Sequence, residues 1–218
     1  MSSTAAGSGV RLAAIDPAAF RHTPWKNGGG VTIDIAGASR PDATPAEWAA
    51  TIWRFGRTSI DTGAPFSDLS GFDRMQVVVA GRGLVLETPA GEIDVREPFV
   101  PVRFHGETAI VSRLEAGPVE VVNLIGDRSR VAIDLRVLEA GSRLALTSGI
   151  HLLYAAVEPC ELHCDEVPCT IAVGHAIQLD CGSGAEVRCA RGRTLVGSVW
   201  SRSHDSHTGD ASHHLQND

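Results

Sequence analysis

Met75-Gln76-Val77-Val78-Val79-Ala80-Gly81-Arg82-Gly83-Leu84-Val85-Leu86-Glu87 holds two short apolar runs separated by a pair of glycines. The branched Cβ of valine restricts it in a helix and packs well on a pleated surface. Gly-x-Gly supplies backbone that turns at positive φ. The stretch therefore reads as two strands around a hairpin turn. Further runs follow it at Ile93–Val95, Phe99–Phe104, Ala109–Ser112 and Val119–Ile125, divided by Gly, Pro and acidic residues. Upstream, Val31-Thr32-Ile33-Asp34-Ile35 alternates with the period of a half-buried strand. Residues 48–60 carry Ile52, Trp53, Phe55 and Ile60, all strand formers. Asp16-Pro17-Ala18-Ala19 has the cap and proline of a helix start, but Pro24 limits it to a turn or two. Nothing from 75 to 200 has a 3.6-residue apolar period. Strands at roughly 8–12-residue spacing argue an all-β sandwich or barrel.

The pattern then repeats. With an offset of 75 residues, Met75–Ala80 falls on Ile150-His151-Leu152-Leu153-Tyr154-Ala155, and Val119, Val121, Asn123 and Ile125 fall on Thr194, Val196, Ser198 and Trp200. Two related β units in tandem are expected. The first is placed at 10–135 and the second, more degenerate, at 136–202, an arrangement compatible with strand exchange between them. Residues 1–9 and 203–218 are poor in apolar residues and read as a disordered leader and tail.

The chain has 218 residues, 43% of them hydrophobic and 21% charged, which is enough for a core without staples. A net charge of −7 with no basic block argues against nucleic-acid binding. No apolar run approaches the ~20 residues of a membrane helix. The N-terminal residues lack the charged and apolar regions of a signal peptide. Five cysteines, an odd number, point to reduced thiols and the cytoplasm.

Candidate chemistry concentrates in the first half. Pro24-Trp25-Lys26-Asn27-Gly28-Gly29-Gly30-Val31-Thr32 sets an aromatic, a cation and an amide beside three glycines. Successive backbone N–H groups in such a loop can cradle an anion, with Lys26 adding charge; a strained turn is the plain alternative. Arg54 and Arg74 each adjoin a strand, with Trp53, Phe66 and Phe72 nearby in sequence. Guanidinium groups walled by aromatics suit a carboxylate. Trp53 and Arg54 face opposite sides of a strand, so only one points inward. A solvated face, or an ion pair with Asp73 or Asp34, would account for the arginines equally well. Cys160, His163, Cys164 and Cys169 have zinc-ligand chemistry but not zinc-finger spacing, and buried cysteines commonly pack as small hydrophobes. No metal and no cofactor are expected. Gly-x-Ser-x-Gly and His-Glu-x-x-His are absent.

The set Trp25–Thr32, Trp53-Arg54, Ser59, Pro65-Phe66-Ser67, Gly71-Phe72-Asp73-Arg74, Gly117-Pro118-Val119 and Asn123 resembles the HutD/Ves family, from about Phe20 to about Trp200. Phe104-His105-Gly106-Glu107 departs from the family's usual Phe-Pro-Gly-Asp, and Asn123–Arg128 is less basic than usual. The resemblance implies a bicupin, two tandem cupin-like β-barrels of the RmlC-like jelly-roll type in one chain. It also implies a small-molecule binder linked to histidine utilisation or its regulation, with a formylglutamate-like carboxylate as the suggested ligand. On that reading Lys26 with Arg54 or Arg74 neutralises the carboxylate. Asn27 and Ser67 orient polar groups; Trp25, Trp53 and Phe66 wall the pocket; Gly28, Gly29, Gly30 and Thr32 complete it. One alternative is a cupin lyase, isomerase or hydrolase acting on a histidine-degradation metabolite, with His105 or Asp73 as base. Another is a protein-interaction or stress-response module. Barrel edges that can pair leave a homodimer open.

Overall fold

Alternating and fully apolar runs become strands almost throughout. The computed structural model describes residues 3–4, 9–24, 30–41 and 48–202. The tail at 203–218, most of the leader, and Trp25, Lys26, Asn27, Gly28 and Gly29 lie outside the described residues. In chain order the strands are β1 (Ser3–Thr4), β2 (Val10–Ile15), β3 (Arg21–Pro24), β4 (Gly30–Ser39), β5 (Thr51–Ile60), β6 (Phe72–Ala80), β7 (Leu84–Thr88), β8 (Gly91–Val95), β9 (Val102–His105) and β10 (Val111–Leu114). They continue as β11 (Val119–Asp127), β12 (Val131–Glu139), β13 (Arg143–Leu146), β14 (Gly149–Tyr154), β15 (Cys160–Cys164), β16 (Val167–Ile171), β17 (Ala176–Cys181), β18 (Ala185–Arg191) and β19 (Arg193–Ser201). The helix start at Asp16 amounts to one 3-10 turn, Pro17–Ala19, whose Ala18 N–H donates to the Asp16 carboxylate at 2.9 Å. A second 3-10 turn, Trp48–Ala50, leads into β5. No helix among the described residues is long and apolar enough to cross a membrane.

The strands form four sheets, none closed on itself. One six-stranded sheet runs β3-β4-β5-β11-β6-β9, and a three-stranded sheet runs β10-β7-β8. The other six-stranded sheet runs β1-β2-β17-β14-β19-β12, beside a four-stranded β13-β18-β15-β16. Strand order thus recurs: β5-β11-β6-β9 corresponds to β12-β19-β14-β17, and β10-β7-β8 to β18-β15-β16. Two features cut across the expected boundaries. β2, near the N-terminus, pairs with β17 in the second half, and β1 adds to its edge, so Ser3–Thr4 within the expected leader is a strand. The chain crosses to the second set of sheets at residues 128–130, just ahead of β12.

Gly81-Arg82-Gly83 does not join paired strands. β6 pairs with β11 and β9, while β7 pairs with β10 and β8. The two glycines, at φ of 72° and 81°, carry the chain from one sheet to the other. A Cβ on Gly81 would lie 2.4 Å from the Pro118 carbonyl oxygen, so the crossing needs glycine for room as well as for φ.

Three apolar clusters hold the sheets. The largest joins Phe55, Val77, Val122 and Leu124 of the first six-stranded sheet to Ile133, Leu135, Leu152 and Tyr154 of the second. β5 and β6 therefore bury both faces over much of their length, which explains their long apolar runs. A second cluster fills the second half with Leu153, Leu162, Leu179 and Val196. Cys160, Cys164, Cys181 and Cys189 belong to it, and Cys169 packs against it. All five thiols are free. Burial pushes those of Cys160 and Cys181 up to about 11. His163 alternates to the outer side of β15, away from Cys160 and Cys164. Among the described residues no group of three His, Cys, Asp or Glu side chains could hold a metal ion. The third cluster, which includes Ile60, Val78, Leu84 and Phe104, fills only part of the first half.

Candidate functional site

What the third cluster leaves unfilled is a cavity of about 860 Å³ over the inner face of the first six-stranded sheet. The strand period decides what it meets. On β5 the even-numbered residues, Arg54, Gly56, Thr58 and Ile60, line the cavity. The odd-numbered Trp53 and Phe55 turn into the inter-sheet core. Arg74 and Gln76 line it from β6, and Val121, Asn123 and Ile125 from β11. Register sets these in rows across the strands: Arg54, Ile125, Arg74 in one, and Gly56, Asn123, Gln76 in the next. Arg54 and Arg74 stand two strand spacings apart, about 10 Å at the backbone. Alternation puts Asp34 on the same face as Thr32, and a bulge between Asp34 and Ala36 then sets Gly37 opposite Arg54.

Phe66, Ser67 and Leu69, from the segment before β6, form a wall. That segment is fastened to the β9–β10 connection. Phe66 N–H donates to the Ile110 carbonyl at 2.9 Å, Leu69 N–H to that of Gly106 at 3.0 Å, and Ser112 N–H to that of Ala64 at 3.0 Å. The Phe66 ring is thereby held 4.8 Å from the Arg74 guanidinium carbon, with the Phe104 ring 5.0 Å away. Such ring faces attract the cation.

The three arginines at the cavity differ in their partners. Arg21 donates to Asp34 at 2.8 Å, and Arg54 donates to the other oxygen of the same carboxylate while lying 5.3 Å from the Trp48 ring. Arg74 has no carboxylate partner among the described residues, and its Nε has no hydrogen-bond partner among them either. Burial pulls its pKa down to about 10. Three guanidiniums against one carboxylate leave the cavity positively charged. Its described lining includes no Asp, Glu, His or Cys, the usual acid–base and nucleophilic side chains.

Of the residues singled out in the sequence, Thr32, Arg54, Phe66, Ser67 and Arg74 meet at this cavity. Thr32 shares a 3.3 Å hydroxyl contact with Thr58. Trp53 does not line it, because alternation commits it to the core once Arg54 faces inward. Gly30 begins β4 opposite Ile60 and is not among the lining residues. Trp25, Lys26, Asn27, Gly28 and Gly29 lie outside the described residues. Arg21, Trp48, Thr58 and Gln76 were missed. The available signal for Gln76 was a polar residue inside the apolar run from Met75 to Ala80.

His105 and Asp73, the bases an enzyme reading would use, sit elsewhere. Asp73 faces away from the cavity. Its carboxylate accepts from Arg128 Nε at 2.8 Å, lies 3.1 Å from His105 Nδ1, and has Arg103 at 3.7 Å. Burial raises its pKa, but the hydrogen bonds from Arg128 and His105 and the charges of Arg128 and Arg103 outweigh that and hold it below the usual carboxylate range. A lowered folded-state pKa contributes stability above the unfolded value of 3.8, which is lost as pH falls through the folded one. Asp73→Asn should cost about 2 kcal/mol at neutral pH, since Arg128 keeps Glu107 and the Phe72 carbonyl. It should also flatten, without abolishing, the fall in melting temperature below about pH 4. Glu107, held down to about 2 by Arg128, titrates in the same range. Melting curves from neutral to acid pH check both.

Fold and cavity together define an all-β protein with a cationic pocket on one sheet face. The chain belongs to the HutD family, whose model matches residues 17–196. An uncharacterised 21.2 kDa protein in the hutC 3′ region of Pseudomonas putida is 30% identical over 143 residues, 66% of this chain and 73% of the relative. HutD from Pseudomonas fluorescens SBW25, determined in a formate condition, superposes with a TM-score of 0.72 at 24% identity, covering 88% of this chain and 100% of that one. A conserved protein of unknown function from Pseudomonas aeruginosa PAO1, PA5104, gives a TM-score of 0.73 at 20% identity, with 88% and 100% covered.

Proposed function

We propose that this protein binds a small carboxylate in the cavity of its first half and serves histidine utilisation or its regulation as a binding protein. The observation that carries this reading is Arg74. A guanidinium buried to 9% exposure against two phenyl rings, with no carboxylate partner among the described residues, is a costly group to keep unless an anion comes to it. Arg54 and Arg21 keep the rest of the cavity positive, and Ser67, Thr32 and Thr58 offer hydroxyls. The setting of the Pseudomonas putida relative beside hutC supports the metabolic link. A formylglutamate-like acid is the ligand we favour. The matching strand orders of the two halves support reading the molecule as two tandem cupin-like barrels, with the ligand in the first and β2 lent to the second.

Isothermal titration with N-formylglutamate, urocanate and glutamate tests the reading. Saturable binding of at least one acid, weakening as salt screens the arginines, is expected. No heat with any of them at high protein concentration overturns it. An enzyme would consume the acid, so recovery of unchanged ligand after long incubation is expected as well.

A further inference from the structure

Two of the five thiols face each other. Cys164 ends β15, Cys169 lies on β16, and their sulfurs stand 3.7 Å apart. The hairpin register brings them together. Cys164 pairs with Val167 and Leu162 with Cys169, so the two cysteines are diagonal neighbours on one face. The turn Asp165-Glu166 that joins the strands is anchored to β18. Asp165 N–H donates to the Glu186 carbonyl at 2.7 Å, and Glu186 N–H donates to the Asp165 carboxylate at 2.8 Å. With the turn fixed, the register that aligns the sulfurs is fixed too. The other three thiols are placed differently. Cys160, Cys181 and Cys189 are buried, and Cys189 Sγ is bonded to the carbonyls of Arg191 and Gly192 at 3.5 Å and 3.4 Å. Cys169 alone of the five is only partly buried. A hydrogen bond from Cys164 favours its thiolate and holds its pKa below the ordinary thiol value, although desolvation opposes this.

We infer that Cys164 and Cys169 are a modification site, a thiol pair that a hydroperoxide converts into a reversible disulfide. Neither residue lines the cavity of the first half, so the site is independent of the carboxylate reading. Cys169, the accessible partner, reacts first. Its thiolate sulfur gives an electron pair to one peroxide oxygen, and the O–O bond breaks. The departing hydroxide takes up the proton lost by the thiol and leaves as water, and Cys169 is then a sulfenic acid. Cys164 is the neighbouring nucleophile. Its sulfur attacks the Cys169 sulfur, the S–S bond forms, and the sulfenic hydroxide leaves with the Cys164 proton as a second water. Two thiols are oxidised by two electrons, and one peroxide is reduced to two waters. Diagonal positions lie at the wide end of what a disulfide spans, so closure draws β16 inward. β16 is free to move, because it is the edge strand of its sheet and Pro168 within it offers no N–H. A bond closed against that resistance is readily reduced, so a small thiol resets the pair.

The test treats the whole chain with hydrogen peroxide and counts thiols after denaturation. Two of the five should be lost, and the intact mass should fall by two hydrogens. Cleavage after Glu166 should leave the peptides carrying Cys164 and Cys169 joined until reductant is added. Glutathione should restore all five thiols. In Cys169→Ser the four remaining thiols should survive the same dose. Cys181→Ser, which removes the other thiol of the released peptide, should still form the link. Cys164→Ser keeps the reactive partner and removes the resolving one, so dimedone should trap Cys169 as a sulfenic acid. A disulfide between other cysteines, or one that forms in Cys169→Ser, overturns the assignment. So does the loss of no thiol at a dose that fully oxidises free cysteine, or passage of Cys169 to the sulfinic acid without a cross-link. A link that glutathione fails to reduce overturns its reversibility. Peptide mapping of the parent decides the matter even where a variant fails to fold.

Discussion

Arg74→Met is expected to lower carboxylate affinity by about 100-fold or more while leaving the chain as stable as the parent, or more so. The expectation follows from what the side chain lacks. Burial opposes the charged form and pulls the guanidinium well below its ordinary value, to about 10. That shift corresponds to roughly 3 kcal/mol held against the folded state at neutral pH. The Phe66 and Phe104 rings return part of it. Methionine keeps an unbranched chain against the two rings, removes the charge and leaves no polar atom unpartnered. The affinity loss is large because a charge-assisted pair in a dry site is worth several kcal/mol. Arg74→Lys should lose about tenfold, since an ammonium neither lies flat against an aromatic ring nor forks onto both carboxylate oxygens. Arg54→Met is the internal control. Asp34 still has Arg21 there, so binding should weaken less than in Arg74→Met. A structural role for Arg74 predicts the opposite order: Arg74→Met would melt well below the parent, and binding would fall only as far as the fold does. Thermal melts and titrations on the same samples separate the two.

How much of this was legible in the sequence depends on whether the signal was local. Strand positions were, because period-2 alternation and β-branched runs are read from neighbours in the chain. Pairing was not. Gly81-Arg82-Gly83 has the chemistry of a hairpin turn, yet β6 and β7 pair in different sheets. Nothing within that tripeptide records where β10 and β11 come to lie. The same limit governs the site. Alternation states that Trp53 and Arg54 face opposite ways. Which one faces the cavity depends on the second half of the chain covering the outer face of β5. Arg54 was open to an ion pair with Asp34, and it has one; Arg74 was open to the same kind of pair, and the described residues supply none. Arg21 joins the site through β3, which pairs with β4 beyond the glycine run. Gln76 and Asn123 could have been paired by noting that the offset of 75 places them on His151 and Ser198, both polar.

Phe55→Ala is expected to destabilise the whole chain by about 4 kcal/mol, the upper part of the range for deleting a buried phenyl ring. At this chain length that lowers the melting temperature by about 10 °C. Phe55 is fully buried where the two six-stranded sheets meet, with its ring edge-on to Tyr154 at 5.9 Å and 83°. The neighbourhood cannot collapse into the space easily. Tyr154 is held by Arg57, which reaches its hydroxyl at 3.3 Å and the Ala156 carbonyl at 2.8 Å. Across the gap, Gly197 leaves room for the ring: a Cβ there would stand 3.1 Å from Phe55 Cε2 and 3.2 Å from Cδ2. The pair is therefore a size match between one half's largest fully buried side chain and the other half's smallest residue. Gly197→Ala should destabilise the parent by overpacking and cost clearly less in a Phe55→Leu background, where the shorter side chain yields the space. A double-mutant cycle measures that coupling. Additive costs, or a Phe55→Ala variant that melts within about 3 °C of the parent, would mean the halves do not depend on this contact. The cavity then gains nothing from it. If the coupling is found, the inner face of β5 that presents Arg54 is held in place by packing on its outer face against the second half of the molecule.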